Sequence, residues 1–366
     1  MRAWRGAEVY FDVEAIKGQP LSNVTGLGGL TNAELQKVVE PQIKFYVPRL
    51  FLRHTFARGG EQEYVDSDNN QLAGPVPSER VVLTAGKLSI TDIFTRNQYA
   101  GDPRTQFLNW SFLTYGAFDY AADLRGYSLG AALEYYRGPW ALRAARFEQP
   151  KVPNSMALDH HVFSTFGDQF ELEHRHRLGD ADGKVQLLAF RNRARMASYA
   201  DAIALASANG GVPDLDAVRN DSRVKLGLGV SVEQALARDI GIFARLLAHD
   251  GKTETYAFTD IDRALTAGVA VKGARWSRAD DTLGVGISVN GISSNHRDYL
   301  AAGGVTAFLG DGRLNYRTEQ VFEAYYNMGI AKRFSASVDW QHIRNPGYNR
   351  DRGPAQVYSV RLHAQF

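Results

Sequence analysis

The stretch Gly126-Tyr127-Ser128-Leu129-Gly130-Ala131-Ala132-Leu133-Glu134-Tyr135-Tyr136 alternates with a period of two. Tyr127, Leu129, Ala131, Leu133 and Tyr135 share one face, while Ser128, Gly130, Ala132 and Glu134 share the other. Arg137-Gly138-Pro139 then breaks the run, and Trp140, Leu142 and Ala144 alternate against Ala141, Arg143 and Ala145. Two alternating runs joined by a tight Gly/Pro turn read as a β-hairpin. One face is apolar, and the other mixes small residues with isolated charges. A soluble sheet would put Lys, Glu and Thr on its exposed face. A barrel in lipid turns the apolar face outward and lines a wet lumen with the small and polar set.

The same pattern recurs along the chain. Segments near 4–15, 43–57, 80–90, 126–136, 138–148, 166–178, 182–194, 222–234, 238–250, 264–276, 281–293, 318–331, 333–344 and 355–366 predict fourteen strands. Short turns at 137–139, 179–183, 236–239, 277–281 and 331–334 alternate with long connections at 91–125, 149–165, 195–221, 251–262, 291–317 and 345–354. Short turns at one end and long loops at the other is the pattern of an outer-membrane barrel. Parity turns Leu129, Leu142, Leu228, Val269, Val338 and Leu362 to lipid, and Ser128, Lys225, Ser337 and Ser359 to water. An alanine-rich helix is predicted over 199–208, and Thr31-Asn32-Ala33-Glu34 reads as a capping box opening a short helix. No linker or charge block divides residues 1–366, so one domain is expected.

Composition narrows the function. Forty-two basic and 40 acidic residues leave a net charge of +2, too little to argue for a nucleic-acid partner. There is no cysteine, which removes zinc–thiolate sites, Fe–S clusters and cysteine nucleophiles. Gly 35, Tyr 17 and Phe 19 beside Met 4 favour strands and turns. No run of 18 apolar residues exists, so no helix is expected to cross a membrane. Met1-Arg2-Ala3-Trp4-Arg5-Gly6 does not read as a secretory signal.

The ordered series of segments resembles the carbohydrate-selective outer-membrane porins of the OprB type over essentially the whole chain. The residues that carry it are Asp102 to Trp110, Gly126 to Tyr136, Trp140 to Phe147, Phe166 to His174, Leu188 to Arg195, Gln341 to Gly353, and the terminal strand ending on Phe366. The resemblance implies a sixteen-stranded transmembrane antiparallel β-barrel, an inward-folded constriction and passive passage of mono- or small oligosaccharides. Members of the family carry a signal and roughly two more strands ahead of the region that matches from about residue 3. Fourteen visible strands plus two give sixteen, so N-terminal strands are expected to be missing from this sequence.

Parity aims Arg49, Arg53, Lys87, Arg143, Arg175, Lys225, Arg245, Lys272 and Arg361 into the lumen, with Glu134, Glu171, Glu173, Glu233, Glu323 and Asp339. Both signs together suit a neutral polyhydroxyl solute better than a phosphate or a cation, because paired donors and acceptors match hydroxyls. Phe51 or Tyr325 would cover a sugar's apolar face. The bland reading of these charges is that they pair and stiffen the wall. The segment Thr91 to Trp110 is too polar for a strand and too aromatic for a solvated loop. It is expected to fold inward within 91–125 and present Asp92, Arg96, Asn97, Asp102, Arg104 and Trp110 as the constriction.

Other motifs fail. Gly26-Leu27-Gly28-Gly29 lacks the rest of a phosphate loop. Asp66-Ser67-Asp68-Asn69-Asn70 begins like a calcium loop, but Gln71 stands where glycine belongs and Pro77 where the closing glutamate belongs. His174 with His176 lacks a third ligand, and Asp159-His160-His161 reads as external loop. No metal, cofactor or catalytic residue is therefore expected. The expected partners are carbohydrate solutes, outer-membrane lipid and lipopolysaccharide. A barrel enzyme of lipase or protease type, a porin for another small solute and a soluble all-β protein remain as alternatives.

Overall fold

A computed structural model describes residues 1–34 and 40–366. The helix expected to open at Thr31–Glu34 would run into 35–39, outside the described residues. The first strands are β1 (Arg2–Trp4), β2 (Ala7–Gly18), β3 (Glu40–Val65), β4 (Gly74–Leu88) and β5 (Ser128–Arg137). Next come β6 (Trp140–Glu148), β7 (Phe166–Leu178), β8 (Ala181–Arg195), β9 (Ser222–Ala237) and β10 (Ile240–His249). The last are β11 (Arg263–Lys272), β12 (Thr282–Gly291), β13 (Glu319–Ala331), β14 (Phe334–Arg344) and β15 (Ala355–Ala364).

Each strand pairs antiparallel with its neighbours in sequence, giving one fifteen-stranded sheet in chain order. The register is regular across the hairpin first read: Glu134 faces Arg143, and Arg137 faces Trp140 at the turn. Fourteen long strands stand where alternation placed them. The three-residue β1 is set off by Arg5-Gly6, where Gly6 takes φ +82°. The resemblance implied sixteen strands in a closed ring; the described residues form fifteen, and no ladder joins β15 to β1 or β2.

Alternation in sequence becomes alternation in exposure. Along β9, Leu226 and Leu228 are exposed while Lys225 and Gly227, which alternate with them, are buried. Leu142, Leu187, Leu246, Leu265, Ile287 and Val338 continue that outward apolar band on six further strands. A water-facing wall would not carry it, since apolar area costs about 25 cal/mol per Å² in water. Ser128, Lys225 and Ser337 turn inward and are buried, as parity requires. Two places depart. Tyr127 precedes β5, and its ring lies inside, under the Arg49 guanidinium at 5.1 Å. Val269 on β11 is half-buried rather than exposed.

Strand ends differ for local reasons. The predicted strand at 264–276 stops at Lys272, because 273–276 forms a 3-10 turn. β3 and β4 run longer than expected, to Val65 and back from Gly74. Arg58-Gly59-Gly60-Glu61-Gln62-Glu63 has no apolar face to mark it as strand. After the short α1 (Trp110–Leu113), the predicted helix forms as α2 (Tyr199–Asn209), capped by Ser198. A second long-loop helix, which no pattern in the sequence marked, is α3 (Ser294–Ala301), capped by Ser293. The core lies inside the sheet and is made by loops: Phe94, Trp110, Phe118, Tyr120, Tyr199, Phe258, Tyr299 and Tyr348 are all buried.

Candidate functional site: a lumen crossed by an inward-folded segment

Residues 89–127 leave the end of β4 and turn inward. Ser89 and Asp92 form a reciprocal cap at the start of the segment. The Asp92 carboxylate also takes a two-pronged bond from Arg49 of β3, at 2.8 and 2.7 Å. From there the chain crosses the lumen and is tied to one wall strand after another. Glu171 of β7 accepts from the Thr95 amide at 2.8 Å, and Glu233 of β9 accepts from the Gln98 amide at 2.9 Å. Arg361 of β15 donates to the Gln106 carbonyl at 2.6 Å, and Arg245 of β10 donates to the Phe112 carbonyl at 2.7 Å. Glu323 of β13 accepts from the amides of Leu108 and Asn109. Lys225 of β9 meets Asp119 at 2.7 Å.

These bonds answer a specific problem. A segment without regular structure carries backbone donors and acceptors that must find partners when buried. Wall charges supply them, and charge-assisted bonds are the stronger kind. Thr95 shows how firmly the path is held: it takes φ +61°, the left-handed region that a β-branched residue avoids. Its amide is bound by Glu171 and its carbonyl by Arg245.

Aromatic rings seat the segment against the wall. Phe107 stacks on Phe112 at 4.6 Å and meets Tyr325 edge-on at 4.9 Å. Glycine on the inner face makes the room. A Cβ at Gly286 would lie 2.5 Å from the Phe112 ring, so any side chain there would lift the segment off β12.

Beside the segment lies a cavity of about 1520 Å³. Of the residues expected on the solute path, Arg49, Arg53, Glu134, Arg143, Glu173 and Arg175 line it, as do Asp92, Arg96, Asn97, Asp102, Arg104 and Trp110. Lys87, Glu171, Lys225, Arg245, Glu323 and Arg361 do not. Glu171, Lys225, Arg245, Glu323 and Arg361 bond to residues of the inward segment, and Lys87 turns to Asp123 at 3.6 Å. Inward loops occupy the space these six side chains enter. Lys272 ends β11 at the rim and is exposed.

The open side of the wall holds a compact ion cluster. Arg143 bonds Glu171 at 2.7 Å, Glu173 at 2.9 Å and Glu134 at 3.3 Å, all with side chains under a tenth exposed. Phe51 stacks on Tyr10 at 4.9 Å under the Arg53 guanidinium, so its face is already covered. Tyr325 is buried, with the Phe107 ring edge-on to it.

Several participants escaped the sequence reading. Glu319 of β13 accepts from the amides of Gly28, Gly29 and Gly347 at 2.9–3.1 Å, and so pins two further inward turns. Its spacing of four from Glu323 put it on the same face, which was the available signal. Asp119 binds Lys225 and the Tyr256 and Ala257 amides. An acid between Phe118 and Tyr120 was its only mark. Among the described residues no group of three or more His, Cys, Asp or Glu could hold a metal. His174 lies tilted against Trp140, ring centroids 4.2 Å apart, and His176 bonds Gln234.

Outside the strands, Asp262 sits in the cap of long loops. Burial raises its carboxyl, but the nearby His296 and His249 and the Ser293 amide outweigh this and hold it well below the usual carboxylate range. Asp260 beside it is pushed up by burial.

The family of carbohydrate-selective porins, OprB, has a model that matches residues 1–366. The chain belongs to this family. OprB porins are outer-membrane channels of Gram-negative bacteria for passive, selective diffusion of carbohydrates, and this chain is such a channel. The high-pH structure of Pseudomonas putida OprB is 16% identical with a TM-score of 0.73, covering 98% of this chain and 83% of that one. That likeness is one of fold. The low-pH structure of the same protein is 13% identical with a TM-score of 0.48, covering 89% and 69%. The outer-membrane channel DcaP of Acinetobacter baumannii is 10% identical with a TM-score of 0.47, covering 100% and 98%. No curated protein matches the chain.

Proposed function

We propose that sugars cross this OprB porin along the cavity beside residues 89–127, touching Arg96, Asp102 and Arg104 of the segment and the pair that segment Asp92 makes with Arg49 of the wall. The observation that carries this reading is the contrast within the segment. Its backbone is spent on the wall, whereas the Arg96, Arg104 and Asp102 side chains are 57%, 41% and 38% exposed on the cavity. A sugar entering there exchanges water for a few hydrogen bonds, each about 1 kcal/mol net. That is strong enough to select and weak enough to release. The exposed leucines of the outer face are the surface for lipid, with lipopolysaccharide at the outer leaflet. Residues 1–366 then act as one barrel domain with its constriction near 91–125.

The test is sugar block of ion current in planar bilayers. Deleting the whole segment would strip partners from Glu171, Glu233 and Glu323, so side-chain truncation is the sharper tool. Arg96→Ala with Arg104→Ala is expected to raise conductance and weaken sugar block. Unchanged block would move the path away from these side chains.

A further inference from the structure

The hairpin of β3 and β4 does not hang free beyond the short-turn rim. Val65 and Gly74 close its ladder, while Arg53 pairs with Thr84 far up the same ladder. Ten to twelve residues separate those two pairings (84 − 74 and 65 − 53), so a straight hairpin would carry its tip about 30–40 Å from Arg53. Yet Arg53 donates to the Asn70 carbonyl at the tip, at 2.8 Å. The hairpin must therefore double back.

The bend has a visible cause. The register slips twice between Ala57 and Gln62. Gly60 takes φ +79° there, and a Cβ on it would lie 2.1 Å from the Ser78 hydroxyl. Bulges of this kind bend a strand and increase its twist.

The tip bends inward, because its holders face the lumen. Arg53 shares parity with buried Phe51, and the Leu72 amide donates to the hydroxyl of Tyr10, which stacks on Phe51. Leu72 packs on the internal core. At the other side, Asp68 reaches Arg96 of the constriction segment at 3.5 Å. The tip and the segment line the same cavity. The segment enters from the long-loop end of β4 and the tip from the short-turn end.

We propose that the β3–β4 tip, residues 66–73, is a second barrier of this pore on its periplasmic side, latched to the constriction by the Asp68–Arg96 pair. A solute that clears the first narrowing enters a chamber and must pass Asp68, Asn69 and Gln71 to leave. Carboxylate and amide groups there offer a sugar's hydroxyls a second set of partners. This rests on the porin reading and adds an exit filter to it.

The absence of native cysteine makes a clean test possible. Asn69→Cys, exposed on the tip, and Asp180→Cys, exposed on the β7–β8 turn, are each inserted in planar bilayers and treated with a charged methanethiosulfonate. Modification at 69 is expected to cut single-channel current about twofold or more, since a bulky charge then stands in the path. Modification at 180 is expected to leave it unchanged. Complete labelling at 69, verified by mass, with unchanged current would overturn the inference while leaving the porin reading intact. Failure of the untreated protein to conduct would sink that reading, and the inference with it. Asp68→Ala supplies a second arm that keeps the fold: higher conductance supports the latch, and unchanged conductance counts against it.

Discussion

Two stretches of the inner wall obey the same parity and do different things. Around Arg143, on β5 to β7, the lumen-facing charges bond mainly to one another. Around Glu319, Glu323 and Arg361, on β13 to β15, they bond to the backbone of inward turns. The first arrangement leaves space in front of it, and the cavity lies there. The second has no free space, because loops have filled it. An inward charge is thus a pore residue or a fastener according to what folds against it. Glu171 joins the two arrangements, bonding Arg143 on one side and the Thr95 amide on the other.

The largest effect expected is at the self-contained cluster. Arg143→Ala leaves Glu134 and Glu171 buried without their cation and Glu173 with Arg175 alone, and breaking a buried pair in this way costs about 3–5 kcal/mol. Thermal unfolding in detergent should show a large drop. A small one would mean that water reaches the cluster and that the contrast with β13 is overdrawn.

Next comes the fastener wall. Glu323→Gln keeps the shape but offers one acceptor oxygen where two amides are bound, a loss of about 1–3 kcal/mol. The segment should loosen locally. The readout is noisier and larger single-channel current, with faster proteolysis near 103–109 and little change in barrel melting. If melting falls as far as in Arg143→Ala, the two walls are not distinct in kind.

Smaller still is the effect of the exposed arginine. Arg96→Ala should leave stability within about 0.5 kcal/mol. Its loss of about 1 kcal/mol in sugar contact corresponds to roughly fivefold weaker block. A stability loss equal to that of Glu323→Gln would make Arg96 another fastener.

The smallest effect is in the cap outside the membrane. Asp262 is depressed in the folded state, so its stabilisation is complete above the unfolded carboxylate value of about 4 and is lost as pH falls below it. Asp260, pushed up by burial, works in the opposite sense and reduces the net change. The protection of α3 against hydrogen exchange, corrected for the intrinsic rate at each pH, should fall modestly below about pH 4.

Strands were readable because their period depends only on neighbours in sequence. Leu226, Lys225 and Leu228 declare their faces without reference to anything distant. The aromatic and polar mixture of Thr91–Trp110 marked that segment as neither strand nor solvated loop. What Glu323 or Arg361 would touch was not readable, because their partners, Leu108, Asn109 and Gln106, stand more than 200 positions away. The inward return of the β3–β4 tip was hidden for a different reason. Its polar residues begin like a calcium loop and carry no mark of an inward path; the Gly59-Gly60 pair was the one available signal of a bend.

Arg49 on β3 and Arg361 on β15 stand near opposite margins of the sheet, and both grip residues 92–106. The segment therefore acts as a tie rod strung across the bore. A load that spreads the two margins is carried partly in tension along this span, not only by the ladders of the wall. Widening the passage and springing the cylinder open become one mechanical event, so the aperture should be as stiff as the vessel that holds it.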